Sequence, residues 1–276
     1  MHVFETPGQA RLRVRNPAGQ VSIDAGDTSE TLVELEPLRD DDASREAVER
    51  ATVEQNGDEI TVHIGSGEKG FNIGPAWISF GRTPQVGVRI RCPQGSELEF
   101  ATASADLTVK GRLGEVDAKS ASGDLSLEEV AELGAHSASG DVRATVVDGS
   151  ARVQTVSGDV RLDTVRGALT ATLVSGDFAV GDAQSDVEVK TVSGDLRVDA
   201  AQQGRIKLQS VSGDVRLGMR PGARLRIDAN SVSGDITSEF DVKDRPSEEP
   251  TGAEANLQIK TVSGDVELVR AASVNA

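Results

Sequence analysis

The 276-residue chain has no tyrosine, one tryptophan, one cysteine and three histidines, and each scarcity closes off some chemistry. Cys92 alone excludes an intrachain disulfide, and with no electropositive setting around it the thiol reads as a small apolar residue at a strand end. His2, His63 and His136 stand at unrelated points and belong to no ligand-spaced or triad-like cluster. No phosphate-cradling glycine loop and no Gly-x-Gly-x-x-Gly fingerprint is present. No run approaches the ~20 apolar residues of a membrane helix. The start, Met1-His2-Val3-Phe4-Glu5, has no basic stretch followed by an apolar core, so the chain is expected to be soluble and cytoplasmic; a chain whose leader had been removed would read the same. Basic side chains are outnumbered 29 to 45, for a net charge of −16, which argues against a nucleic-acid partner and suits solubility.

What the sequence does have is a repeat. Ser-Gly-Asp recurs eight times, with glycines at Gly123, Gly140, Gly158, Gly176, Gly194, Gly213, Gly234 and Gly264, behind a degenerate copy at Ser104-Ala105-Asp106. Counted from Ala105 the steps are 18, 17, 18, 18, 18, 19, 21 and 30 residues, a period characteristic of solenoids. A second glycine lies nine residues on at Gly149, Gly167 and Gly222, and ten on at Gly204. Each repeat is therefore two half-repeats of the form Gly-x-apolar-x-apolar, as Val160 and Leu162 follow one corner and Leu169 and Ala171 the next. Units this short cannot bury an apolar face alone and must stack in register. The fold class expected is all-β: a single-stranded parallel β-solenoid with coils of about 18 residues and an aliphatic interior. The nine copies, stacked in chain order, would span roughly 40 Å at the ~4.8 Å spacing of strands.

Stacking places Asp124, Asp141, Asp159, Asp177, Asp195, Asp214, Asp235 and Asp265 in one column. Arg143, Arg161, Arg197 and Arg216 lie two positions after the repeat's aspartate and are expected to form a parallel cationic column, while turn amides cap the carboxylates. These residues read as a structural ladder, with no cofactor site and no metal requirement. Calcium-binding nonapeptide rolls place ligands at both corners, whereas here one corner per coil carries Gly and Asp, so calcium is not expected. A six-residue acyltransferase period is met by Val156, Leu162, Ala168, Val174 and Val180 but broken at Asp186. The repeated serine makes a poor nucleophile, because every coil has one and none has a base beside it.

Residues 1–100 lack the repeat yet alternate like strands at 10–14, 20–23, 31–35, 59–64 and 86–91. One short helix is expected near 42–54, after the carboxylates of Asp40-Asp41-Asp42 and along Ala47, Val48 and Ala51. The organisation expected is a β-rich region 1–100 that starts and caps the solenoid and a regular array over 101–276, in one continuous body. Between Gly65 and Pro84 a presumed loop gathers Phe71, Ile73, Trp77, Ile78 and Phe80, either a partner-binding loop or a flap over an apolar end. The segment 239–256 reads as an acidic inserted loop.

The repeated Thr-Val-Ser-Gly-Asp at 155–159, 191–195 and 261–265, with Arg-Ile-Arg-Cys-Pro-Gln-Gly-Ser from Arg89, resembles the bacterial putative-adhesin family of β-solenoid domains of unknown function. The resemblance covers nearly the whole chain: a strand at 19–23, a helix at 42–53, a strand closing on Pro-x-Gly-Ser at 86–96 and then the array. It implies a β-solenoid, and for some relatives a link to the cell envelope and its stress responses. The function expected is a non-enzymatic interaction or scaffold protein with a protein partner or self-association. Two alternatives stay open: a self-polymerising, bactofilin-like structural protein, and a β-helical enzyme acting on polysaccharide or acyl donors.

Overall fold

Alternation of apolar and polar residues, broken at glycine corners, produces strands that pair with the next coil rather than with themselves. In the computed structural model residues 1–65, 70–73, 76–79, 83–221, 224–240 and 254–271 are described, with side chains outside 70–79 and Glu254. The described chain is all-β with one helix and falls into two compact units, Met1–Ala131 and Glu132–Ala276.

The first unit opens with β1 (His2–Glu5), β2 (Arg11–Arg15), β3 (Ala18–Gly26) and β4 (Glu30–Pro37). Helix α1 (Asp42–Glu49), β5 (Thr52–Asn56) and β6 (Glu59–His63) follow. Then come β7 (Gly70–Ile73), β8 (Ala76–Ser79), β9 (Val86–Pro93), β10 (Glu97–Thr102), β11 (Ser104–Ser120) and β12 (Leu125–Ser137), whose end enters the second unit. β2 lies between β6 and β10, all parallel, and β3 lies between β9 and β11, also parallel. The first coil written in the sequence is thus second in space. The outer edges of β6 and β9 are covered by antiparallel strands, β5 on the one and β4 on the other, with β1 beyond β4.

Asp41 caps α1 by accepting the Ser44 amide at 2.8 Å, and Ser44 and Ala47 are buried. The helix stops at Glu49 rather than running to 54. Val53 is β-branched and pairs antiparallel with Val62, so strand pairing wins over the weak apolar stripe. The Gly65 to Pro84 stretch is likewise not simply a loop, because β7 and β8 form an antiparallel hairpin with Phe71 opposite Ile78 and Asn72 opposite Trp77.

The second unit continues with β13 (Val142–Val147), β14 (Ala151–Thr155), β15 (Val160–Val165), β16 (Leu169–Leu173), β17 (Phe178–Ala183) and β18 (Val187–Lys190). It ends with β19 (Leu196–Ala201), β20 (Gly204–Gln209), β21 (Val215–Met219), β22 (Arg224–Ser233), β23 (Ile236–Ser238), β24 (Glu254–Ser263) and β25 (Val266–Arg270). Every pairing here is parallel, and the register between coils is kept except for one slip in β19–β21 between Val198 and Ala201. Columns of like position form the core: Val142, Val160, Phe178, Leu196, Val215 and Val266 in one, and Ala151, Leu169, Val187, Ile206 and Leu257 in another. Each of these side chains is buried. Burial of an aliphatic side chain contributes ~1.5–3 kcal/mol, which is what coil stacking supplies and an isolated coil cannot.

The stack does not follow chain order to its end. β24 lies between β20 and β22, and β25 between β21 and β23, so the last coil in sequence is the penultimate one in space. The cause is visible in the side chains. Ala255, Leu257, Ile259, Val266 and Leu268 are buried aliphatic side chains of the last coil, whereas the coil built from β22 and β23 has only Leu225, Ile227, Ala229 and Ile236, with Ser238 opposite Leu268, and leaves them half-buried or exposed. The better core former takes the interior place.

Candidate functional site

The corner that carries Ser-Gly-Asp is built differently at its two ends. At Gly123, Gly140 and Gly158 the glycine amide donates to a buried hydroxyl three residues back, that of Ser120, Ser137 or Thr155, at 2.8–3.0 Å. The next coil has Leu173 at that position and no hydroxyl to offer. From Gly176 onward the glycines take φ between +128° and +148°, and the amides of Gly176, Gly194, Gly213 and Gly264 donate to the serine carbonyl of the neighbouring coil, as Gly194 does to Ser212 at 3.0 Å. The later hydroxyls of Ser210 and Thr261 are buried and left without a partner by this change.

In the second unit the aspartates form a continuous column from Asp141, and its compensation comes from the backbone. Asp159 N–H donates to Asp141 Oδ1, Asp177 to Asp159, Asp195 to Asp177 and Asp214 to Asp195, at 2.8–3.0 Å. The column continues from Asp214 to Asp265 and from Asp265 to Asp235, both at 2.8 Å, in the spatial order of the coils. In the first unit Asp124 N–H donates to Asp106 Oδ1 in the same way at 3.0 Å. The carboxylates of Asp106, Asp141, Asp159, Asp177, Asp195, Asp214 and Asp265 therefore each accept an amide of the adjacent coil rather than of their own turn.

The arginines stack Arg143 on Arg161 and Arg197 on Arg216, with Ala179 between the pairs and Glu267 after them. Arg143 pairs with its ladder aspartate, Asp141, at 2.8 Å. Arg161 and Arg197 turn forward to Asp163 at 3.5 Å and Asp199 at 2.5 Å, and Arg216 reaches Glu267 at 2.6 Å. The column of cations thus neutralises its own strand faces more than the aspartate corner. Nearby, Lys190 and Lys207 hydrogen-bond Glu188 and hold its carboxyl below the usual range.

One consequence of the corner was readable in the sequence and missed there. Alternation places Val153 and Thr155 inward and so turns Val156 outward, and the same phase turns out Val174, Val192, Val211, Val262 and Val232. The Ser175–Ser193–Ser212–Ser263 bridges align four of these valines, and the β22–β24 register sets Val232 opposite Val262. Six of the ten exposed large apolar side chains among the described residues belong to this one column, five of them 48–50% exposed and Val232 80%. The result is an apolar ridge of roughly 24 Å at strand spacing, flanked along its length by the aspartates.

Of the aromatic segment, Phe71 and Ile73 fall in β7 and Trp77 and Ile78 in β8, while Phe80 lies outside the described residues, as do 241–253 of the acidic insertion. Among the described residues no three His, Cys, Asp or Glu side chains converge to hold a metal ion, and no helix is long and apolar enough to cross a membrane. Cys92 is buried in β9, and burial pushes its thiol up to about 11.

Asp195→Ala removes the acceptor of the Asp214 amide and is expected to cost about 1 kcal/mol, while Asp195→Asn keeps Oδ1 and is expected to stay within ~0.5 kcal/mol of the parent. Urea denaturation followed by circular dichroism distinguishes them; equal losses would mean that charge, not the amide ladder, holds the corner.

Two glycine-cornered strands per coil, parallel register between coils and a one-sided aspartate ladder define a repeat β-solenoid. The sequence matches the Toastrack DUF4097 family over residues 10–269, and the chain belongs to that family. In structure it is similar to a putative adhesin from Bacteroides fragilis, at 12% identity over 97% of this chain and 95% of the other, with a TM-score of 0.39. It is similar also to a protein from Parabacteroides distasonis named as a putative lipid binding protein, at 14% identity over 98% and 96%, with a TM-score of 0.45. No curated protein matches the sequence.

Proposed function

We propose that the chain is a non-enzymatic, adhesin-like interaction module whose valine ridge docks a protein partner. The observation that supports the reading is the ridge itself. An apolar side chain at an exposed corner gains nothing for the core, yet it recurs in six successive coils of the second unit. Contiguous exposed apolar surface of this kind marks interaction sites. The flanking aspartates set the chemistry of the partner: an apolar line bordered by lysine or arginine, because complementary charge steers encounter and fixes register.

The test is comparative capture from native extract by the parent, by Val174→Ser/Val192→Ser/Val211→Ser and by Trp77→Ala/Phe80→Ala. The triple ridge variant is expected to lose the partner while its thermal midpoint stays within a few degrees, since each valine is already half in water. Retention by the ridge variant with loss by the aromatic variant would move the contact to the 70–79 hairpin. Turnover of labelled glycans or acyl donors by the parent would refute the non-enzymatic reading.

A further inference from the structure

We propose that the terminal coil of the second unit pairs with the same coil of a second copy, giving a closed twofold dimer. Among the described residues β22 pairs only with β24 and β23 only with β25, so both strands have an unpartnered edge. The core is open there as well. Leu225, Ile227 and Ala229 face inward but are half-buried, and Ile236 is 45% exposed, whereas Leu257 and Ile259, one coil further in, are fully buried. An uncovered strand edge above an open core is the kind of surface that recruits another strand. The segment 241–253, Asp-Val-Lys-Asp-Arg-Pro-Ser-Glu-Glu-Pro-Thr-Gly-Ala, offers one large aliphatic side chain, Val242, with which to cover it.

The sequence of β22 selects its own copy as the occupant. Laid antiparallel on itself with Ile227 opposite Ile227, it sets Leu225 opposite Ala229 on the inward face and Arg226 opposite Asp228 on the outward face, each pair occurring twice. Residues directly opposite in an antiparallel pair share a face, and opposite charges there are favourable while like charges are not. A twofold interface must be complementary to itself in this way, residue i meeting j and j meeting i. The register extends the aliphatic columns across the twofold axis and consumes both edges, so assembly ends at two copies.

The 276-residue chain is tested by sedimentation velocity and equilibrium from submicromolar to several hundred micromolar. The parent is expected to move from one to two chain masses and no further. Arg226→Asp alone, or Asp228→Arg alone, sets like charges opposite twice and is expected to weaken dimerisation roughly tenfold or more. The double variant Arg226→Asp/Asp228→Arg restores complementarity and is expected to restore the parent's dissociation constant. Both side chains are exposed, so circular dichroism should be unchanged throughout. A parent of one chain mass at every concentration, growth beyond the dimer, or single variants that dimerise like the parent would each overturn the proposal. None of these outcomes bears on the valine ridge, whose partner assay is separate.

Discussion

Replacing Gly194 by alanine is expected to destabilise the second unit by about 3 to 5 kcal/mol, a large part of the ~5–15 kcal/mol that holds a typical domain together. Two penalties coincide at this corner. The backbone sits at φ +134°, where a β-carbon strains the chain, and a Cβ built there would lie 2.1 Å from the carbonyl oxygen of Gly176. Strained backbone costs ~1–3 kcal/mol, and forced overpacking a similar amount. The obstacle is backbone, not a movable side chain, and that backbone is fixed on both sides: Gly176 N–H donates to Ser193, and Asp195 N–H to Asp177 Oδ1. Gly57 is the control. It also has positive φ, +64°, but a Cβ there meets nothing within 4 Å, so Gly57→Ala should cost only ~1–2 kcal/mol. Urea denaturation by circular dichroism reads both variants. Equal losses at the two positions would mean that coil-to-coil approach is not what demands glycine.

That pair of glycines also shows what one sequence makes legible. A repeat whose steps stay near 18 residues, with glycine at the corners and alternation between, points to parallel stacking because such short strands cannot bury an apolar face alone, and the register of β13 to β20 follows it residue by residue, slipping once between β19 and β21 after Val198. The corner chemistry was less accessible. Asp beside Gly suggests a turn cap within one coil, but the carboxylate in fact accepts an amide from the next coil, a contact created only by stacking. The start of helix α1 is legible because Asp41 acts locally, whereas its end at Glu49 is not, because the pairing of Val53 with Val62 is non-local. The valine ridge is legible from strand phase alone. Valine suggests core, yet the phase counted from Val153 through Thr155 already turns Val156 to solvent.

Stack order is a property that periodicity cannot encode, since identical spacing is compatible with any order of coils that loops can span; its consequence is measurable. Leu257→Ala is expected to strip protection from amides in 224–238 together with those in 254–270, although 30 residues separate Asp235 from Asp265 in the chain. Leu257 is fully buried, with Ile206 on one side and Ile227 on the other, and truncation of a buried leucine costs ~2–5 kcal/mol. Within one chain the terminal coil has no other strand partner: its strands hydrogen-bond only to β24 and β25 among the described residues, and its inward side chains are already half exposed. Loosening the penultimate layer must therefore loosen the last one. The reverse substitution is asymmetric. Ile227→Ala should open 224–238 and leave 254–270 protected, because β24 and β25 still rest on β20 and β21. Native-state hydrogen exchange resolves the two segments as separate opening units. Protection retained at 224–238 in the Leu257→Ala protein would mean that the coils stack in chain order after all, with β22 and β23 directly on β20 and β21. Loss in both segments from Leu257→Ala but in one from Ile227→Ala is the signature of a coil inserted after the chain has already passed beyond it, which requires that the terminal coil acquire its place only when 254–270 arrives beneath it.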